Sequence, residues 1–456
     1  MNIAIFSGEL SGDLIGGALA RELKRQCPEG QTLTLWGLGS RAMEAAGVEL
    51  IADSAEWGVI SITQVVARVP GLLLKTQPMV KREIRRRKPD LIVMIDFGAF
   101  NLRAARYAKS LGIKICYYVP PGCWRRKTTK GAEFAELTDV VATPFPWSET
   151  HLRSLGVNAH YVGHPIVERV GAQMTRAQFA DHFGMDPSRP IIGLLPGSRL
   201  HEIDHLMPLM LDSARLIYEK VKDAQFVVAV ADTISQERMA ELLSGSPDLR
   251  DKFSEIWHEF AQEAETKVLK PVVQTARKFR PKSPANMVTN AGLTISTEEW
   301  QEKLRAQAQI DKVQDRQFKP PPPTVLAKGM TYEVMAHSDL LLVCSGTATL
   351  EATLFETPMV ILYRGSKLMK LEYNLRGLSK TIANIGLPNI LADRRIVPEL
   401  LLDQATPENV LAEALPLLND VAVRARVKQD LHEVHLSLGE KGAAEKTAHL
   451  IFRVLR

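Results

Sequence analysis

Apolar residues in this chain gather into short continuous runs, each separated from the next by a stretch with helical spacing. Ile3–Ser7, Leu33–Trp36, Leu91–Ile95, Ile113–Val119 and Val140–Thr143 read as strands, and Gly12–Gln26 and Leu102–Leu111 as helices between them. Unbroken rather than alternating runs predict strands covered on both faces, and the alternation with helices predicts βαβ units and a parallel sheet. The pattern then restarts with Ile191–Leu195, a helix His201–Val221, Phe226–Ala231, Leu340–Cys344, a helix from about Thr347, and Met359–Tyr363. The expected architecture is α/β, with two Rossmann-like doubly wound domains over residues 1–165 and 166–456, joined near Gly163–Ala172. Such sheets bind ligands beyond the carboxyl ends of their strands.

Residues 245–323 break the second pattern. The stretch is polar, carries the basic segment Lys278–Pro284, and ends in Pro320-Pro321-Pro322-Pro323, a stiff polyproline piece. It reads as an insertion with helical pieces at Ser254–Glu265 and Thr297–Val313 and little order elsewhere. Amphipathic helices resume at Pro407, and the last of them are expected to pack back on the first domain.

Composition narrows the class. With 456 residues, 45% hydrophobic and 24% charged, the chain is an ordinary globular protein of two or three domains. A disordered chain, a collagen-like repeat and a disulfide-stapled miniprotein are excluded. Cys27, Cys116, Cys123 and Cys344 form no C-x-x-C pair, so no zinc ribbon or redox motif is written here. The start, Met1-Asn2-Ile3-Ala4-Ile5-Phe6-Ser7, lacks the marks of a signal peptide, and no apolar run reaches the ~18 residues that span a bilayer. A cytoplasmic location is expected.

The net charge of +5 is unevenly spread. Lys81-Arg82-Glu83-Ile84-Arg85-Arg86-Arg87-Lys88 is one basic cluster, and Arg125, Arg126, Lys127 and Lys130 form another. Two readings stand side by side: a solvated helix end, or a surface for an anionic partner. The absence of a recognisable nucleic-acid module argues against nucleic acid.

Four features bear on chemistry. Gly8-Glu9-Leu10-Ser11-Gly12-Asp13 follows the first strand and opens the first helix, where glycines allow close backbone approach and the helix start favours an anion. A plain tight turn is the alternative. Leu195-Pro196-Gly197-Ser198-Arg199 is a second strand–loop–helix junction, with a guanidinium suited to phosphate. Behind it, His201-Glu202-Ile203-Asp204-His205 spells H-E-x-x-H, but it starts in the first helical turn and lacks a signposted third ligand, so no metal site is expected. Ser345-Gly346-Thr347 is a third junction, with Glu351 one turn on and suited to ribose hydroxyls; a capped helix with a surface glutamate is the bland reading. Asp96 ends a buried strand, either as a base tuned by desolvation or as a turn residue.

Taken in order, these residues resemble the lipid-A-disaccharide synthase family of inverting GT-B glycosyltransferases. The matching pieces are Gly8-Glu9-x-Ser11-Gly12-Asp13, Gly39-x-Arg41-x-Met43, Ile95-Asp96 with Phe100-Asn101, and Val162-Gly163-His164-Pro165. They continue with Leu194-Leu195-Pro196-Gly197-Ser198-Arg199 plus Glu202, and Ser345-Gly346-Thr347-Ala348-x-Leu350-Glu351. Pro358-Met359-Val360, Tyr363-Arg364 and Leu387-Pro388-Asn389-Ile390-Leu391 complete the series.

The resemblance implies transfer of a diacylglucosamine unit from its UDP derivative to diacylglucosamine 1-phosphate, at the inner face of the inner membrane and without a cofactor or metal. It makes Asp96 the base at the acceptor hydroxyl. Ser198, Arg199, Glu202, Ser345, Gly346, Thr347 and Glu351 fall on the UDP side, with Tyr363, Arg364 and Asn389 lining the same half. Gly8, Glu9, Ser11, Gly12 and Asp13 form the facing wall. The chain departs from the family pattern at Asp96-Phe97-Gly98-Ala99-Phe100, which lacks a second Asp, and at Pro120-Pro121-Gly122-Cys123-Trp124-Arg125-Arg126; the 245–323 stretch reads as extra. Competing readings are a UDP-sugar epimerase or another GT-B transferase, a silent nucleotide- or lipid-binding paralogue, and a metallohydrolase on His201 and His205. The last is disfavoured by its context, and a base at Asp96 disfavours the silent binder.

Overall fold

The computed structural model describes residues 1–54, 75–123, 132–231, 234, 324–364 and 384–456. The apolar run Val65-Val66-Ala67-Arg68-Val69-Pro70-Gly71-Leu72-Leu73-Leu74, which with the basic cluster after it reads from sequence as a membrane-facing surface, lies outside them, as do the Arg125–Lys130 cluster and the 245–323 stretch.

The first sheet contains β1 (Asn2–Phe6), β2 (Thr34–Gly39), β3 (Glu49–Asp53), β4 (Leu91–Ile95), β5 (Lys114–Tyr118), β6 (Val140–Thr143) and β7 (Ala159–Tyr161). Its seven strands run in the order β3-β2-β1-β4-β5-β6-β7, and each neighbouring pair is parallel. The second sheet contains β8 (Ile191–Leu195), β9 (Gln225–Val230), β10 (Thr324–Lys328), β11 (Leu340–Cys344), β12 (Met359–Tyr363) and β13 (Glu399–Leu401), in the order β10-β9-β8-β11-β12-β13. The described helices are α1 (Leu10–Gln26), α2 (Arg41–Ala45), α3 (Gln77–Arg87), α4 (Gly98–Ser110), α5 (Ala132–Leu137), α6 (Pro146–Ser154) and α7 (Arg176–His182). They continue with α8 (Leu200–Lys220), α9 (Thr331–His337), α10 (Thr347–Leu354), α11 (Leu387–Ala392), α12 (Pro407–Asn419), α13 (Val421–Ser437) and α14 (Ala443–Leu455). None of them is long and apolar enough to cross a membrane.

The continuous apolar runs do what their pattern predicts. Every residue of β4 is buried, and successive residues serve opposite faces of the sheet. Leu91, Val93 and Ile95 join a core with α1 residues Leu19 and Leu23, whereas Ile92 and Met94 join one with Val80, Ile84, Ala104 and Ala108 from α3 and α4. The first of these cores also takes in Ala448, Leu450, Ile451 and Phe452 of α14, so residues from the far end of the sequence complete one face of the first sheet.

The basic run forms the end of α3, as its lysines and arginines near a helix C-terminus favour. Arg87 makes a two-pronged pair with Glu49, at 2.6 and 2.7 Å, and lies over the Trp36 ring. Arg86 pairs with Glu83. Two arginines of the cluster are thus engaged with the protein's own groups.

Between the sheets the chain turns at His164. Its backbone N–H donates to Leu438 O at 2.7 Å, its Nδ1 accepts from Ile166 N, and its ring lies against Phe145. Burial, with Arg169 nearby, pushes its pKa down to about 3, so the imidazole stays neutral.

Candidate active site

Each sheet has one place where the winding reverses. In the first sheet it falls between β1 and β4, in the second between β8 and β11. Neighbouring chain connections diverge there and open a crevice at the carboxyl ends of the strands. The four loops singled out from sequence leave the sheets at these two places.

Phe6 pairs in register with Met94, so the loop starting at Ser7 lies beside the one starting at Asp96. Their approach is close enough to dictate a residue type. A Cβ on Gly8 would fall 2.1 Å from the Phe97 ring, so only glycine fits. Asp96 and Phe97 both take left-handed backbone, with φ of 44° and 47°. That conformation is costly for a non-glycine residue and is held here by outside bonds. Tyr117 Oη donates to Asp96 O at 2.7 Å, and Asn101 Nδ2 donates to Ile95 O and Asp96 O at 3.1 and 3.0 Å. Burial first, and the Glu9 charge second, raise the Asp96 carboxyl to about 6. A carboxylate with that value is a stronger base than an ordinary aspartate, yet still ionised at neutral pH.

In the second sheet Val343 pairs with Leu195, and Leu362 with Cys344. The Ser198–Arg199, Ser345–Thr347 and Tyr363–Arg364 segments therefore leave the sheet as neighbours. Ser198, Arg199, Gly346, Thr347 and Arg364 are exposed, and Ser345 and Tyr363 half-buried. Gly346 stands immediately before α10 with φ 153° and open space where a Cβ would point. A helix start stripped of side-chain cover suits an anion brought against its N–H groups.

Glu202 belongs to this loop in a different way from its neighbours. Its Oε2 accepts from the N–H groups of Ser198 and Arg199 at 3.2 and 3.3 Å, and its Oε1 from the Arg199 guanidinium at 3.2 Å. By accepting the N–H of Arg199, the N-cap residue of α8, it fixes the helix start from within, which is a structural duty and not that of a metalloprotease base. Glu351 Oε1 accepts from Arg169 at 2.6 Å and from Tyr332 Oη at 3.1 Å. Neither partner stands out in sequence, because Arg169 is 182 residues away.

Two expected ligand contacts are placed inside the protein instead. Asp13, only 3% exposed, accepts from the N–H groups of Ser40, Ala42 and Met43, fixing the start of α2 to α1. Asn389 is fully buried; its amide donates to Val397 O and Glu399 Oε1 and its carbonyl accepts from Ile396 N and Val397 N. With these bonds made, both residues shape the walls from behind. Gly12 is also buried, packed against Ser7, whereas Glu9 and Ser11 remain half-exposed at the loop. Next to them the structure adds two residues with no earlier signal. Leu10 and Leu14 lie one turn apart on α1, 48% and 47% exposed, off the buried stripe of Gly12, Gly16, Leu19, Ala20 and Leu23.

A model of the lipid-A-disaccharide synthetase family matches residues 3–251 and 287–453. The chain belongs to that family. A lipid-A-disaccharide synthase of Geobacter metallireducens is 31% identical over 453 residues, covering 99% of this chain and 97% of the relative. The family makes this chain a hexosyltransferase of lipid A disaccharide synthesis. Among solved structures, the calicheamicin glycosyltransferase CalG4 has a similar fold, with a TM-score of 0.54, 12% identity and coverage of 100% and 98% of the two chains. A UDP-GlcNAc 2-epimerase from Neisseria meningitidis bound to UDP-GlcNAc gives 0.51, with 10% identity and 99% coverage of both. At those identities the likeness is one of fold, and the fold is GT-B. Between its two matched segments the family model leaves out residues 252–286, which lie inside the 245–323 stretch.

Proposed function

We propose that this lipid-A-disaccharide synthase family member transfers a diacylglucosamine unit from a UDP-linked donor to diacylglucosamine 1-phosphate, with residues 1–165 forming the acceptor side and 166–456 the donor side. The observation that carries the reading is the gathering of all four chemistry-bearing loops at the two winding reversals. Asp96 takes the proton of the acceptor hydroxyl as that oxygen attacks the anomeric carbon from the face opposite the diphosphate. The carbon–oxygen bond to UDP breaks, and its electrons leave on the diphosphate. Ser198, Arg199 and the N–H groups at Ser345–Thr347 hold that growing charge, while Glu351 Oε2 accepts from the ribose hydroxyls. Tyr363 and Arg364 flank the nucleotide.

Lipid acceptors suit the acceptor side, because exposed Leu10 and Leu14 sit where acyl chains would lie. Transfer of such chains into water costs ~0.8 kcal/mol per methylene, so the protein works as a peripheral protein at the cytoplasmic face of the membrane. Anionic vesicles should retain it in a sedimentation assay and release it with salt, and Lys81→Ser with Arg82→Ser should weaken retention. Equal retention by neutral vesicles at all salt concentrations removes the electrostatic part.

Incubation of UDP-diacylglucosamine with its 1-phosphate, with products read by mass, tests the reaction itself. Disaccharide 1-phosphate and UDP are expected, and hydrolysis or epimerisation alone refutes the proposal. Calorimetry should show UDP affinity lowered roughly ten- to a hundredfold by Arg199→Ala and by Glu351→Ala, the loss of one charge-assisted contact each.

A further inference from the structure

A second cluster of chemistry-bearing side chains lies at the opposite end of α10 from Gly346. Glu356, two residues past the helix, faces His432 and His435, which are one turn apart on α13. Both Nδ1 atoms approach the same carboxylate oxygen, at 2.7 Å for His432 and 3.1 Å for His435. The three donor atoms all lie within 4.8 Å of one another. No step of the transfer reaction uses any of them.

We propose that Glu356, His432 and His435 bind one divalent transition-metal ion of the zinc type. Two imidazole nitrogens and a carboxylate oxygen are a borderline donor set, which suits zinc and its neighbours and not magnesium or calcium, whose ligands are oxygens. Around zinc, donors at ~2.0–2.1 Å in tetrahedral array stand about 3.3 Å apart, so the two histidine–carboxylate distances of 2.7 and 3.1 Å need to lengthen by roughly 0.6 and 0.2 Å. The side chains are 34% exposed for Glu356, 44% for His432 and 34% for His435, which gives the ion a path in and a water as fourth ligand. The site ties the end of α10 to α13, and its role is that of a structural clamp on the helix whose start receives the diphosphate.

Untagged full-length protein, stripped with a chelator and dialysed, is titrated with zinc in a calorimeter and melted with and without it. One ion per chain is expected, with a rise in melting temperature of about 3 °C at a hundredfold excess over Kd. Magnesium should do neither. His432→Gln with His435→Gln preserves hydrogen-bonding capacity toward Glu356, so the metal-free melting temperature should hold while zinc binding is lost. Glu356→Gln should weaken binding without abolishing it. Absence of zinc binding in the wild type overturns the proposal. So does binding that survives in the double histidine variant, or that is removed instead by His201→Gln with His205→Gln.

Discussion

Asp96 sits at a backbone angle that few residues tolerate, and there it is half-buried with the Glu9 charge as a neighbour. Its carboxyl rises from 3.8 to about 6 for that reason, and two consequences follow with definite sign. As a base it must be ionised, so kcat/KM should climb with pH up to about 6 and level off above, and Glu9→Gln should move the rise to lower pH. A folded-state value above the unfolded one means that the stability it lends is whole below pH 3.8 and is lost as pH passes through about 6. Asp96→Asn carries no charge to bury and tolerates positive φ equally well. The variant should melt higher than wild type at pH 8 and show no such gain in acid, while turnover falls ~100-fold or more. Thermal melts at two pH values and a turnover assay check both halves; near-normal turnover removes Asp96 from the mechanism. The position of Asp96 at a strand end is legible in sequence. Its clamp is less so: Asn101 reads only as part of a family motif and Tyr117 only as a strand residue, and neither is seen to hold the Asp96 backbone until β5 and α4 are laid against β4.

At the scale of elements, what the sequence makes legible depends on burial. Strands β4, β6, β8, β11 and β12 are recognised to the residue, because central strands covered on both faces must be continuous apolar runs. The strands missed, β3, β7, β10 and β13, are the edges of the two sheets. Half-exposed segments such as Glu49–Asp53 carry no such run. The same logic separates the site residues. Exposed glycines, serines and arginines at strand ends are readable by type, but whether a polar side chain faces solvent or its own backbone depends on how loops return. Asn389 is the case in point, since its partners at Val397 and Glu399 come from the turn into β13, an element invisible to pattern. Asn389→Ala strands buried donors and acceptors and should destabilise the protein by about 2–4 kcal/mol in urea unfolding, with UDP affinity of the folded fraction unchanged. A large loss of UDP affinity at unchanged stability would return Asn389 to the ligand.

For the whole molecule, two sheets with the same winding logic each present one reversal, and the function proposed above draws a base from one and anion-binding helix starts from the other. The strands of the two sheets come from separate stretches of chain, but the packing that covers the first sheet does not keep to that division. The core face of β1, β4 and β5 is closed by Ala448, Leu450, Ile451 and Phe452 of α14. On the ribosome this imposes a delay. The strands of the first sheet are finished by Tyr161, yet one side of that sheet waits for α14, which at 5–20 residues per second takes roughly 15–60 s more to emerge. During that interval the apolar stripe that α14 will cover is open to water and to other nascent chains. A version ending at Gly442 makes the interval permanent: it should collect in the insoluble fraction or bind a hydrophobic dye far more than the full chain, and recover when a peptide of residues 443–456 is supplied. Asp96, the base proposed above, thus leaves the ribosome well before the packing of its own sheet is complete, and a chain interrupted ahead of α14 is expected to carry no folded acceptor side.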